Sequence, residues 1–159
     1  MTPAPRTDSW MLEWLVGMPA ESQLSLLRLC LSGAFDRLPE TLRIGFAHGG
    51  GSFAYWTGRA DNASHQRPDL DGAHSEHPPS HYAKRVYFDS VVFIEVALRV
   101  LLDVHGPSRV VLGSDYPYPL GERPAGRVIR SSDLTDDTRA QLLGSNARDF
   151  LGDGRTAPS

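Results

Sequence analysis

The chain has 159 residues, which is enough for one domain of ordinary size. Forty per cent of the residues are hydrophobic and 22% are charged, close to globular averages, so the composition argues against a disordered chain. The net charge of −3 contains no basic excess, and neither nucleic acid nor an anionic membrane is expected as a partner.

Cysteine content and apolar runs limit the class of protein further. Cys30 is the only cysteine, so an internal disulfide and a cysteine-rich zinc site are both excluded. The first ten residues lack the apolar stretch of a signal peptide, and every apolar run in the sequence is shorter than a membrane helix. We therefore expect a soluble, cytoplasmic protein.

The hydrophobic pattern predicts four helices that alternate with three strands. Apolar residues at helical spacing predict a first helix that starts near Pro19, covers residues 21–38 and stops before Pro39. Residues 64–80 are rich in Pro, His, Asp and Ser and predict a long surface loop. The remaining helices are predicted at residues 52–63, at 93–104 before Gly106 and Pro107, and at 135–151 with Thr135 as the cap. The strands are predicted at residues 42–47, 86–89 and 110–112.

This alternation predicts an α/β fold. Strands that alternate with helices form parallel βαβ units. Three strands are fewer than in a (β/α)8 barrel or a doubly wound sheet, so the chain is either a very small α/β domain or part of a larger one.

The first candidate site is His48, which follows the first predicted strand and precedes Gly49, Gly50 and Gly51. Functional groups of α/β folds collect at the carboxyl ends of strands, and glycines allow backbone and ligand to approach closely. An imidazole at this position can act as acid, base or metal ligand. The alternative is a histidine satisfied by backbone hydrogen bonds. The glycine run lacks the spacing of both phosphate-binding fingerprints.

The second candidate is Asp115, in the segment GSDYPYP after the third predicted strand. A carboxylate at this position is a candidate metal ligand or general base. The alternative is a carboxylate that caps the next turn.

Two weaker signals involve charged side chains. Arg59 is either a surface arginine or a clamp for a carboxylate, which its guanidinium group can bind with two hydrogen bonds. The spacing of His74, Glu76, His77 and His81 is similar to that of zinc ligands, but this stretch is polar, rich in proline and free of cysteine. A solvated loop is the expected interpretation of this cluster.

Four segments, in this order, resemble the C-terminal half of the amidohydrolase-related decarboxylases, and within them the branch that acts on 2-amino-3-carboxymuconate-6-semialdehyde. They are WLVGMPAE at 14–21, FAHGGGSF at 46–53, GR at 58–59 and LGSDYPYPLGE at 112–122. The segment NARDFLG at 146–152 is similar to the terminal helix of that family. On this resemblance, residues 11–152 form a partial barrel domain between disordered ends at 1–10 and 153–159.

The resemblance implies the last three βα units, strands six to eight, of a metal-dependent TIM (β/α)8 barrel. It implies that Asp115 binds a divalent metal, commonly zinc, and that His48 acts beside the metal as acid and base. Arg59 would cross from a partner subunit to hold the carboxylate of a small-molecule substrate, which implies a homo-oligomer. Trp14 and Tyr118 would line the substrate pocket.

Three of the four metal ligands that the resemblance implies have no counterpart in this sequence. The chain contains no His-x-His pair, and His48 is its first histidine. We therefore expect weak retention of zinc and little or no decarboxylase activity from the isolated chain. Bare strand faces and two unpaired sheet edges are expected unless another copy or a complementing N-terminal half covers them. The alternatives are a non-catalytic fragment, half of a split enzyme, or a hydrolase of the same superfamily.

Overall fold

A parallel sheet of three short strands lies at the centre of the fold, in the order β1-β2-β3. The computed structural model describes residues 7–67 and 74–153. In the register of the sheet, Phe88 lies between Phe46 and Val110. The strands are β1 (Gly45–Phe46), β2 (Tyr87–Asp89) and β3 (Val110–Val111).

Helices precede the first strand, connect the strands and follow the last of them. Short π-helical turns at Glu13–Gly17 and Gln141–Ser145, and 3₁₀ turns at His48–Gly50 and Pro107–Arg109, complete the helical structure. The α-helices are α1 (Met18–Leu31), α2 (Ala34–Arg37), α3 (Phe53–Gln66), α4 (Pro79–Ala83), α5 (Glu95–His105), α6 (Arg127–Ser131), α7 (Asp136–Ala140) and α8 (Asn146–Leu151).

The predicted alternation of helices with parallel strands is confirmed. The first strand is shorter than predicted because the Leu42 N–H donates to the Pro39 carbonyl in a turn, 3.0 Å away. The predicted cap is also confirmed, since the Thr135 hydroxyl accepts a hydrogen bond from the Thr138 N–H at 3.2 Å.

The prediction of one helix over residues 21–38 is wrong, because the helix is interrupted after α1. Gly33 adopts a left-handed conformation with φ +66°. The His74 N–H donates to the Leu31 carbonyl at 2.8 Å, so a distant segment of the chain binds the end of α1. The apolar spacing continues into α2 and gives no sign of the break.

The helices α4 and α6 were not predicted. Helix α4 begins at the end of the stretch predicted as a surface loop and extends beyond it, and it buries Tyr82 and Ala83. Residues 68–73 of that predicted loop lie outside the described residues, as does most of the predicted disordered ends.

Two clusters of buried side chains form the core around the sheet. The expectation of bare strand faces is wrong for Val110, which is fully buried within the second cluster, whereas Phe46 is half-buried. Both β1 and β3 have one unpaired edge in the part of the chain that the structure describes. The first cluster contains Leu26, Cys30, Phe35, Phe53, Tyr82, Ala83, Val86 and Phe88, and the second contains Leu98, Leu101, Val110, Val128, Ile129 and Leu142.

None of the described helices combines the length and apolarity needed to cross a bilayer.

Candidate active site at the carboxyl end of the sheet

A cavity of about 780 Å³ lies beside the carboxyl ends of the strands and brings four of the five predicted site residues together. Trp14, His48, Asp115 and Tyr118 all line it. Most of its other walls are apolar, including Leu15, Met18, Pro19, Val91, Val92, Phe93, Ala97 and Leu120. Such a cavity, mainly apolar with a few convergent polar groups, is the usual form of a small-molecule site.

His48 enters the cavity from the turn after β1. Its backbone is left-handed, with φ +56°, and its side chain is half-buried. The ring nitrogen Nδ1 is buried and has no hydrogen-bond partner among the described residues. Backbone hydrogen bonds therefore do not satisfy this nitrogen, which favours the functional interpretation of His48 over the alternative.

The glycines after His48 allow this turn to pack closely against its neighbours. A Cβ atom at Gly51, which has φ +66°, would lie 2.1 Å from the Pro19 carbonyl oxygen at the start of α1. A Cβ atom at Gly50 would lie 2.7 Å from the Phe88 ring. The run of glycines thus fixes the position of His48 through close contact of the backbone with α1 and β2.

Asp115 enters the cavity from the loop after β3, also with a left-handed backbone of φ +59°. Its carbonyl accepts the Tyr118 N–H at 2.9 Å, and the Ser114 carbonyl accepts the Glu122 N–H at 2.8 Å. The polar cap of the following turn is Ser114, whose hydroxyl accepts the Tyr116 N–H at 3.3 Å. The capping role considered for Asp115 is therefore filled by its neighbour.

Sequence reasoning missed Glu122, which secures the far end of this loop. Its side chain is 6% exposed, and Oε1 accepts the Val128 N–H at 2.8 Å in the first turn of α6. An acidic residue ahead of a helix start was the available signal, but α6 itself was not predicted.

Trp14 and Tyr118 meet at the rim of the cavity. Their ring centroids are 6.1 Å apart with an angle of 73° between the planes, an edge-to-face contact. Both rings remain partly exposed. An aromatic pair at the rim can pack against the flat face of a bound molecule.

Arg59 is the candidate that the structure does not bring to this cavity. It lies on α3 and lines a separate groove of about 610 Å³ between α1 and α3, together with Leu27, Leu31 and Trp56. A role for Arg59 at the site of its own chain is thus not supported by the geometry.

Asp89 and Ser90, at the end of β2, were also missed by sequence reasoning. Asp89 Oδ1 accepts hydrogen bonds from the Gly49 N–H at 2.8 Å and the Val91 N–H at 3.1 Å. The Ser90 hydroxyl accepts the Gly113 N–H at 3.1 Å. These two side chains connect the segments that carry His48 and Asp115, and only their position at a strand end could have indicated this.

The sequence model of the family described as Amidohydrolase matches residues 2–152. The chain belongs to the amidohydrolase family. It is 43% identical over 148 residues to 2-amino-3-carboxymuconate-6-semialdehyde decarboxylase from Dictyostelium discoideum, a match that covers 92% of this chain and 41% of that protein. The resemblance found from the sequence motifs is therefore confirmed.

Solved structures of amidohydrolase decarboxylases share the fold of this chain. The 5-carboxyvanillate decarboxylase of Sphingomonas paucimobilis matches with a TM-score of 0.82 and 31% identity, over 91% of this chain and 44% of the other. The enzyme of the same name from Novosphingobium aromaticivorans, solved with manganese and 4-hydroxy-3-methoxy-5-nitrobenzoic acid, matches with a TM-score of 0.81 and 25% identity, over 94% and 44%. The chain thus spans less than half the length of each of these three proteins and is an α/β fragment of that barrel fold.

The described residues alone do not complete the metal centre that the amidohydrolase resemblance implies. Among residues 7–67 and 74–153, no group of three or more His, Cys, Asp or Glu side chains is placed to hold a metal ion. His48 and Asp115 are two donors in one cavity, whereas a catalytic zinc site uses about three protein ligands. In the separate cluster whose spacing is similar to that of zinc ligands, the rings of His77 and His81 stack on one another, with centroids 4.0 Å apart, and both side chains are exposed.

Proposed function

We propose that this chain forms strands six to eight, and part of the active site, of a decarboxylase that depends on a divalent metal. The observation that carries the proposal is the single cavity shared by Trp14, His48, Asp115 and Tyr118. The proposed substrate is a small carboxylate of the 2-amino-3-carboxymuconate-6-semialdehyde type, because the Dictyostelium discoideum relative bears that name at 43% identity. We place the partial domain at residues 11–152.

His48 is proposed as the acid and base of the reaction. Loss of CO₂ from a carboxylate leaves a carbanion, which must receive a proton at the carbon that carried the carboxylate. A half-buried imidazole whose Nδ1 has no hydrogen-bond partner among the described residues can hold and deliver that proton. The walls around His48 are mainly apolar.

Asp115 is proposed as one ligand of the metal, zinc or another divalent ion. The remaining ligands are proposed to come from outside this chain, because among the described residues that line the cavity only His48 and Asp115 are of the His, Cys, Asp or Glu type. The proposed source is a complementing N-terminal half of the barrel, whether encoded separately or as part of a longer polypeptide.

Arg59 is proposed to bind the substrate carboxylate in the site of a second copy. Its groove between α1 and α3 is mainly apolar, and Trp56, which lines it, is 45% exposed. A second copy that packs on this groove would bury this side chain and bring Arg59 towards the neighbouring cavity. A homo-oligomer is therefore part of the proposal.

The test is to express the chain with the N-terminal part of the Dictyostelium discoideum relative and to measure CO₂ release and bound metal. We expect turnover and about one divalent ion per pair, and neither from the isolated chain. Asp115→Ala is expected to lose the metal and the turnover, whereas His48→Gln is expected to keep the metal and lose the turnover. Thr135→Ser, at a residue that does not line the cavity, is the control.

Each outcome bears on a different alternative. An assembled pair that holds metal but releases no CO₂ would contradict the decarboxylase and favour either a non-catalytic fragment or a hydrolase, which amide or ester substrates distinguish. Metal bound at full stoichiometry by the isolated chain, with turnover, would contradict the need for a complementing half.

A further inference from the structure

Asp89 occupies the end of β2 and holds the turn that carries His48. One oxygen of its half-buried carboxylate accepts the N–H groups of Gly49, at 2.8 Å, and Val91, at 3.1 Å. Gly49 is the residue directly after His48, so this bond fixes the peptide that carries the His48 carbonyl. Hydrogen bonds to a carboxylate are stronger than those between neutral groups, which suits them to fixing a backbone position.

Ser90, the next residue, holds the loop that carries Asp115. It is 1% exposed, and its hydroxyl accepts the Gly113 N–H at 3.1 Å. Gly113 also lies so close to β2 that a Cβ atom there would be 2.8 Å from the Asp89 Cβ. Two adjacent side chains at the end of one strand therefore bind the two segments that enter the cavity.

Both segments need such support because of their backbone conformations. His48 has φ +56° and Asp115 has φ +59°, and non-glycine residues rarely adopt this left-handed region. Such conformations persist only where the surrounding structure imposes them, and they concentrate at functional sites.

We propose that Asp89 and Ser90 are positioning residues of the proposed site. Asp89 orients His48 through the Gly49 N–H, and Ser90 orients Asp115 through the Gly113 N–H. The inference rests on the proposed function, which assigns His48 and Asp115 to the active site. Neither Asp89 nor Ser90 lines the cavity, so they act through the backbone and not by touching the substrate.

The test uses NMR spectroscopy of the full chain with Asp89→Ala, Asp89→Asn and Ser90→Ala. In Asp89→Ala, hydrogen exchange at the Gly49 amide is expected to be at least about tenfold faster, with little change at Gly113. Ser90→Ala is expected to give the reverse pattern. Asp89→Asn keeps an acceptor oxygen and is expected to restore most of the protection at Gly49.

The imidazole signals distinguish a positioning role from a general structural one. Asp89→Ala is expected to shift or broaden the ring signal of His48 and to leave that of His105, which is stacked in the core on Phe88 at 4.0 Å. Movement of both signals would show a general effect on the fold and overturn the inference. An unchanged Gly49 exchange rate in a folded Asp89→Ala chain would overturn it as well.

The wild-type chain gives a further test in case Asp89→Ala fails to fold. A scalar coupling across the hydrogen bond, between the Gly49 nitrogen and the Asp89 carboxylate carbon, is expected, and its absence would overturn the inference. These signals do not depend on turnover. A chain that shows them but stays inactive with its complementing half would contradict the proposed function and leave the geometry of Asp89 and Ser90 intact.

Discussion

The turn after β1 and the loop after β3 hold their candidate residues by different means. The turn fixes His48 mainly by close packing, which the hydrogen bond to Asp89 supplements, since a Cβ atom at Gly51 would lie 2.1 Å from the Pro19 carbonyl oxygen. The loop fixes Asp115 mainly by hydrogen bonds, among them the bond from the Val128 N–H to the buried Glu122 carboxylate at 2.8 Å.

This difference predicts different responses to substitution. A packed turn has no room for added atoms, so one methyl group there must displace the backbone of α1 or the core. A hydrogen-bonded loop loses its supports one at a time, and each loss costs about the free energy of one buried hydrogen bond.

The largest effect is expected from Gly51→Ala, which tests the packed turn. The added Cβ clashes with the Pro19 carbonyl, and φ +66° is unfavourable for alanine, so we expect the free energy of unfolding to fall by about 3 kcal/mol or more. Gly58→Ala is the matched control, because no atom lies within 4 Å of the added Cβ and α3 should gain about 0.5–1 kcal/mol. Urea denaturation measures both, and a loss below about 1 kcal/mol in Gly51→Ala would contradict the packing argument.

The free energy of unfolding is expected to depend on pH through His105, which lies in the core beneath the turn. This side chain is 6% exposed and stacks on Phe88, and burial lowers its pKa to about 4. The folded chain keeps the ring neutral while the unfolded chain protonates it below a pKa of about 6.5, so stability falls as the pH drops from 6.5 to 4, by up to about 3 kcal/mol.

His105→Leu removes this proton uptake and should flatten the dependence of stability on pH in that window. Urea midpoints between pH 4 and 7 measure it for both chains. Equal slopes for the wild type and the variant would show that His105 is not the group responsible.

An intermediate effect is expected from Glu122→Ala, which tests the hydrogen-bonded loop. The change leaves the buried Val128 N–H without its acceptor and should cost about 2 kcal/mol, while Glu122→Gln retains an acceptor oxygen and should cost less. Hydrogen exchange should become faster at Val128 and stay unchanged at Gly49. Faster exchange at Gly49 would mean that the loop and the turn are one unit and would contradict the comparison.

The smallest effect is expected from Thr135→Ala, outside both segments. Loss of the hydroxyl that accepts the Thr138 N–H at 3.2 Å should lower the free energy of unfolding by about 1 kcal/mol. Thr135→Ser keeps the cap and serves as control. Hydrogen exchange at Gly49 and Val128 should not change in either variant, and a change at these amides would indicate coupling across the domain.

The elements that were predicted correctly depend on local signals. The Thr135 cap and the end of α5 at Gly106 follow from residue types at fixed positions, and the parallel sheet follows from alternation. The break after α1 was not predicted, because the apolar spacing continues across Gly33 and the His74 N–H that binds the Leu31 carbonyl comes from some forty residues away.

The residues of the candidate site likewise divide into those with a local signal in the sequence and those without one. His48 and Asp115 were found because each directly follows an apolar strand, while Trp14 and Tyr118 were found only through the resemblance to the amidohydrolase-related family. The supporting role of Asp89 was not found, because a carboxylate that accepts backbone N–H groups looks the same in sequence as one that binds a ligand.

The open edges of the sheet have a consequence for how the chain associates with other polypeptides. Each edge strand, Gly45–Phe46 and Val110–Val111, is two residues long and offers few free backbone groups to an incoming strand. Fibril growth by strand addition is therefore disfavoured, although both edges are unpaired. A polypeptide that completes the sheet must gain most of its affinity from apolar side chains such as Leu15 and Ile94, which are 56% and 61% exposed. Its attachment should weaken in urea and change little with salt.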